Sequence, residues 1–85
     1  KQDLAMHYVY VLQSLSHPEQ YYTGLTDNVA SRLRDHNAGK SAHTARYKPW
    51  KVVSFHYFQN EEVALAFEKY LKSGSGRAFS KKRLR

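Results

Sequence analysis

Cysteine is absent from this 85-residue chain. Its absence rules out a disulfide framework, a thiolate zinc site and a thiol nucleophile, and it fits a cytoplasmic setting. Long apolar runs are missing as well, so neither a secretory signal nor a membrane span is expected. Acid is scarce: 7 Asp and Glu stand against 14 Lys and Arg, a formal charge of +7. The acidic residues Asp27, Asp35, Glu61, Glu62 and Glu68 are scattered or paired, whereas basic ones gather in residues 40–51 and again in 69–85. Two basic surfaces of this kind suit a polyanion, because neutralising phosphates releases counterions and steers association. Internal repeats and low-complexity segments are also lacking. Lys1 is not an initiating residue, so the expected native start is Met6 or the residues before it are appended.

What is present is apolar and aromatic. A content of 41% hydrophobic and 14% aromatic residues predicts a folded chain of one domain, with a core over about residues 7–80 and residues 1–5 disordered or appended. His7–Gln13 is β-branched and aromatic and reads as a strand; Gln20–Leu25 follows as its hairpin partner, ended by Gly24, where backbone can approach closely. Asp27 or Asn28 then caps a helix that runs to Ala38 and stops at Gly39. On its wheel Val29, Ala30, Leu33 and Asn37 form the apolar face, and Arg32 and His36 share a rim, neither free in solvent nor buried.

Residues 39–49 carry no periodicity and read as a long basic loop. Trp50–Phe58 is a third strand with apolar side chains on both faces, which predicts a central or doubly covered position. Asn60 caps a helix with Val63, Ala64, Phe67, Tyr70 and Leu71 as its buried stripe and Glu68 at the edge of that stripe. Ser73-Gly74-Ser75-Gly76 breaks it, and Arg77–Leu84 forms a last short helix held by Phe79 and Leu84. The order strand, strand, helix, strand, helix, helix is that of an α+β fold around a small three-stranded, largely antiparallel sheet flanked by helices.

Taken singly, each polar residue has an ordinary explanation. The tyrosines suit a sheet with satisfied hydroxyls, Arg32 suits a snorkelling rim position, and Glu68 has Lys72 at ion-pairing distance along a helix. Their joint order is more specific. Tyr8-Val9-Tyr10 and Tyr22-Thr23-Gly24 resemble the two motifs of the GIY-YIG nuclease domain. Arg32, His36 and Glu68, with the run Phe67–Gly74, resemble the small single-domain members of that family over about residues 7–80. Tyr8, Val9 and Thr23 stand where the motifs carry glycine, isoleucine and isoleucine, and the asparagine some branches use near the end has no placed equivalent.

The resemblance implies a metal-dependent endonuclease that hydrolyses phosphodiester bonds in DNA or a related nucleic acid. Tyr10 or Tyr22 would activate water, Arg32 would stabilise the phosphoryl charge, and Glu68 would bind one divalent ion. A lone carboxylate favours hydrated Mg²⁺ or Mn²⁺. Because a tyrosine is a weak base at neutral pH, Arg32, the metal or His36 has to lower its pKa, or His36 has to share the work. Gly24, the loop residues Lys40, His43, Arg46 and Lys48, and Lys72, Arg77, Lys81, Lys82, Arg83 and Arg85 are expected to meet nucleic-acid phosphates. With no targeting domain in sight, sequence specificity is expected to be weak or supplied by a protein partner. The competing reading is a nucleic-acid-binding module of the same fold that cleaves little or nothing. A structural-interaction role through the aromatic strands is the third.

Overall fold

The structure, a computed structural model, describes residues 6–85, so the expectation for residues 1–5 lies outside it. Among the described residues the chain forms β1 (His7–Ser14), β2 (Tyr21–Thr26), α1 (Val29–Asn37), α2 (Ala42–Ala45), β3 (Trp50–Phe58), α3 (Glu61–Leu71) and α4 (Gly74–Arg83). The sheet is antiparallel throughout with strand order β2-β1-β3. β1 is therefore the central strand and β3 an edge, so the central one of the two positions expected for β3 does not hold. The two-sided apolar pattern of β3 has another cause: Val11 pairs Ser54 while Leu12 pairs Val52, leaving Val53 as a bulge. One extra residue reverses the alternation. It puts Trp50 and Val52 on the same face as Phe55 and Tyr57, and the last two are exposed.

The alternation along β1 splits the core into two layers. Val9 and Val11 point to one side, where they pack with Ala64, Leu71, Phe67, Leu25 and Leu84 under α3 and α4. Tyr10 and Leu12 point to the other, where they pack with Trp50, Tyr22, Val29, Leu33 and Tyr47 under α1. A one-residue slip of β1 would exchange the layers, so the register is held by burial on both faces.

Local chemistry sets the helix ends. Asn28 caps α1 by accepting from the Ser31 amide, and Asn60 does the same for Val63 at the start of α3. Gly39, at φ 77°, takes the left-handed position that ends α1. The buried stripes differ in detail from the wheel. His36 replaces Ala30 on the inner face of α1, and Val63 and Tyr70 of α3 stay exposed while Ala64, Phe67 and Leu71 turn in.

Two segments differ more. The break between the last two helices falls where expected but is shorter, Lys72 and Ser73 alone, because α4 starts at Gly74: the Ser73 hydroxyl accepts from the Gly76 amide and so caps α4, with Gly76 buried. Of the two anchors expected for α4, Leu84 reaches the core and Phe79 packs at the surface on Tyr70. The expected loop 39–49 contains α2, whose end is tied to β3. Trp50 Nε1–H donates to the Thr44 carbonyl at 2.9 Å, and the Asn37 side chain exchanges two hydrogen bonds with the Trp50 backbone.

Candidate active site

Tyr10 lies at the centre of β1, on the face that α1 covers, opposite Gly24 of β2. Its ring occupies the space that a side chain at position 24 would need: a Cβ there would lie 2.6 Å from Tyr10 Cζ and 2.9 Å from Cε1. The glycine thus makes room for the tyrosine, a different reason from the close phosphate approach expected for it. Tyr22, two residues before Gly24 on the same face, brings its ring to 6.2 Å from that of Tyr10 and 5.0 Å from that of His36.

α1 supplies the next two groups. His36, 0% exposed, is a buried residue and not the rim residue its spacing suggested. Its Nε2 stands 2.9 Å from the Tyr10 hydroxyl and its Nδ1 2.7 Å from Thr44 Oγ1. One turn earlier Arg32 forms an ion pair with Asp35 at 3.6 Å, and its positive charge acts on the Tyr10 hydroxyl. Burial and the Arg32 charge both push the His36 pKa down, so the ring is neutral at neutral pH. Burial pushes the Tyr10 pKa up; the hydrogen bond from Arg32 pulls it back, and the negative charge of Glu68 is felt at the same hydroxyl.

Glu68 comes from α3, in the other layer, and its side chain is 21% exposed. Its carboxylate holds Lys72 at 3.2 Å, and the Lys72 ammonium lies 5.8 Å over the Tyr22 ring. The free edge of β2 is where the two layers meet. Tyr22 and Lys72 also line a groove of about 770 Å³ along that edge, together with His43, Arg77, Arg85 and Tyr47. Arg85 sits 3.9 Å over the Tyr21 ring within it.

The expected site residues therefore divide. Tyr10, Tyr22, Arg32, His36 and Glu68 converge, and His43, Lys72 and Arg77 join them along the groove. Lys40 is drawn to Asp35 at 3.6 Å, Arg46 stacks on Tyr47, and Lys48, Lys81 and Lys82 are exposed away from the groove lining. Thr44 is the residue that sequence reasoning missed. Its only local signal is Ser41, a helix-starting residue inside what otherwise reads as loop.

Among the described residues no group of three His, Cys, Asp or Glu side chains is arranged to hold a metal. Glu68 is a single carboxylate at a partly exposed position. That donor set fits a hydrated, oxygen-preferring cation such as Mg²⁺ or Mn²⁺, which keeps most of its waters, and does not fit a four-ligand zinc centre. Also among the described residues, no helix is long and apolar enough to cross a membrane.

Comparison with known proteins adds an independent line. Residues 6–83 match the sequence model of the GIY-YIG catalytic domain. A UPF0213 protein of Clostridium perfringens is 40% identical over 68 residues, which cover 79% of this chain and 71% of that protein. The structure-specific endonuclease subunit SLX1 of Debaryomyces hansenii is 37% identical over 71 residues, covering 75% of this chain but only 20% of that much longer protein. The solution structure of the UPF0213 protein BH0048 from Bacillus halodurans superposes with a TM-score of 0.56 at 28% identity, covering 93% of this chain and 86% of that one.

Proposed function

Because this chain belongs to the GIY-YIG catalytic domain family, we propose that it is a nuclease that hydrolyses phosphodiester bonds, with DNA as the favoured nucleic acid and the Tyr10 hydroxyl as the reacting base. The observation that carries this reading is the convergence on one oxygen: His36 Nε2 lies 2.9 Å from the Tyr10 hydroxyl, and Arg32 and Glu68 both act electrostatically on it.

Each group has a part in the chemistry. An attacking water passes a proton to the Tyr10 oxygen as the Tyr10 proton moves to His36 Nε2, and the imidazole becomes imidazolium. That transfer offsets the weakness of a phenol whose pKa is raised by burial. Arg32, held by Asp35, offers its guanidinium to the oxygens of the five-coordinate phosphorus, where negative charge grows. Glu68 would hold one divalent ion, which when bound supplies positive charge to the phosphate and to the departing oxygen. Lys72, Arg77, Arg85 and His43 along the β2 edge would position the backbone without reading bases. Targeting would then come from nucleic-acid shape or from a protein partner.

One observation favours the second reading, a binding module with little cleavage: the Glu68 carboxylate is occupied by Lys72. An i,i+4 pair of this kind contributes only about 0.3–0.5 kcal/mol. A divalent ion arriving with a phosphate can displace it. The test is a panel of supercoiled, linear, branched and single-stranded DNA and RNA with Mg²⁺ or Mn²⁺, run on the wild type beside Glu68→Ala and Arg32→Ala. Each substitution should lower the cleavage rate by about a hundredfold to a thousandfold. Cleavage that persists unchanged in both variants sinks the catalytic assignment; salt-sensitive binding with no cleavage of any substrate supports the module.

A further inference from the structure

Three side chains buried between α1, α2 and β1 form a chain of hydrogen bonds whose direction can be worked out from donor and acceptor capacity. Tyr10 is 1% exposed, and the positive charge of Arg32 acts on its oxygen, which favours that oxygen as an acceptor and sends its own O–H to another partner. The His36 Nε2 atom at 2.9 Å is the side-chain atom that can take it. His36 then carries its ring proton on Nδ1, 2.7 Å from Thr44 Oγ1. Thr44 can accept that proton because its hydroxyl has somewhere else to donate: the Ser41 carbonyl at 3.4 Å, a group that cannot donate in return. The opposite direction would use the bond to His36 to satisfy the Tyr10 oxygen as an acceptor and leave its hydroxyl proton without an acceptor at a residue only 1% exposed.

Thr44 is itself held from three directions. It is 1% exposed, its amide donates to Ser41 O at 3.1 Å, and its carbonyl accepts from Trp50 Nε1–H at 2.9 Å. A surface loop residue would need none of this. From this arrangement we infer that Thr44 is a positioning residue: it fixes His36 in the Nδ1–H tautomer, so that Nε2 stays unprotonated and aimed at the Tyr10 hydroxyl. The short helix α2 exists to deliver that hydroxyl, and Trp50 sets its depth. The consequence for turnover rests on the nuclease reading above, while the tautomer does not.

The two are therefore measured separately. Nitrogen-15 NMR of the wild-type imidazole at pH 8, without nucleic acid or metal, should give His36 a protonated Nδ1 and a pyridine-type Nε2. A protonated Nε2 in the wild type overturns the inference, whatever the protein cleaves. Thr44→Val keeps the shape and removes the acceptor; the pure Nδ1–H signature should be lost, and Thr44→Ser should restore it. In cleavage assays Thr44→Val should lower kcat by about tenfold to a hundredfold with KM unchanged, the effect of one unpaired buried donor expressed as a rate, and Thr44→Ser should recover most of that loss. A Thr44→Val protein that keeps the wild-type tautomer, or that loses it with kcat unchanged, refutes the positioning role. If Thr44→Val does not fold, the wild-type and Thr44→Ser spectra still decide it: both must carry the Nδ1–H form.

Discussion

Replacing Gly24 by alanine separates two explanations of the same glycine. The added Cβ would sit 2.6 Å from Tyr10 Cζ. Ordinary carbon–carbon contact begins at about 3.5 Å, so the ring has to retreat by roughly 0.9 Å. Tyr10 is buried between Tyr22 and His36 and has little room to do so. A hydroxyl that follows its ring by that amount cannot keep the 2.9 Å bond to His36 at hydrogen-bonding geometry. Overpacking and the lost bond together cost about 2–4 kcal/mol. For a domain of this size that is a fall in Tm of about 10–30 °C, read by circular dichroism. The rate of cleavage should fall at least a hundredfold, the usual effect of an ångström of misplacement at a reacting group. Adding Tyr10→Phe removes the nearest atom of the clash, so the double variant should be more stable than the sum of the singles by about 0.5–3 kcal/mol. If instead Gly24→Ala melts with the wild type and only its affinity for nucleic acid drops, the glycine serves phosphate approach and the packing reasoning is wrong.

Two further outcomes are expected. His36 and His56 both have pKa values held below their ordinary 6.5 by burial, so below that pH the unfolded chain binds more protons than the folded one. Stability should therefore be flat above pH 7 and fall as pH drops below 6.5, by up to about 1.4 kcal/mol per pH unit for each histidine; His36→Gln should remove one proton from that slope, and an unchanged slope would contradict the buried neutral imidazole. Lys72→Met should scarcely alter Tm, since the pair with Glu68 is worth only about 0.3–0.5 kcal/mol, and should tighten Mn²⁺ binding to the protein alone; weaker or unchanged binding in a calorimetric titration would show that Lys72 does not compete for the carboxylate.

The parts of the fold that depend on short-range pattern were legible in the sequence. Strands showed as β-branched runs, and Asn28, Asn60 and Gly39 marked helix ends by their own chemistry. The bulge at Val53 was not visible, because a single extra residue looks like a second apolar face, and it made β3 read as central or covered on both faces when β1 occupies the centre. In the site, Tyr10, Tyr22, Arg32, His36 and Glu68 could be named together through family motifs, although α3 lies in a different layer from α1. The depth of His36 could not be read, since a wheel drawn from hydropathy pushes a histidine to the rim. Its burial depends on polar partners, Tyr10 and Thr44, that come from other elements.

The central place of β1 has a consequence for motion. Its amides and carbonyls are bonded to neighbours on both sides, so this strand should exchange its hydrogens with solvent more slowly than any other, and Tyr10 sits in its middle. The Tyr10 oxygen is thereby mounted on the strand expected to be the stiffest among the described residues, and its distance to His36 should be insulated from events at the surface. Under the proposed function, adaptation to a flexible or irregular polyanion would fall to the long side chains at the β2 edge, Lys72, Arg77 and Arg85, which can re-aim without disturbing the strand behind them. Rigidity and accommodation are thus divided between neighbouring strands of one small sheet.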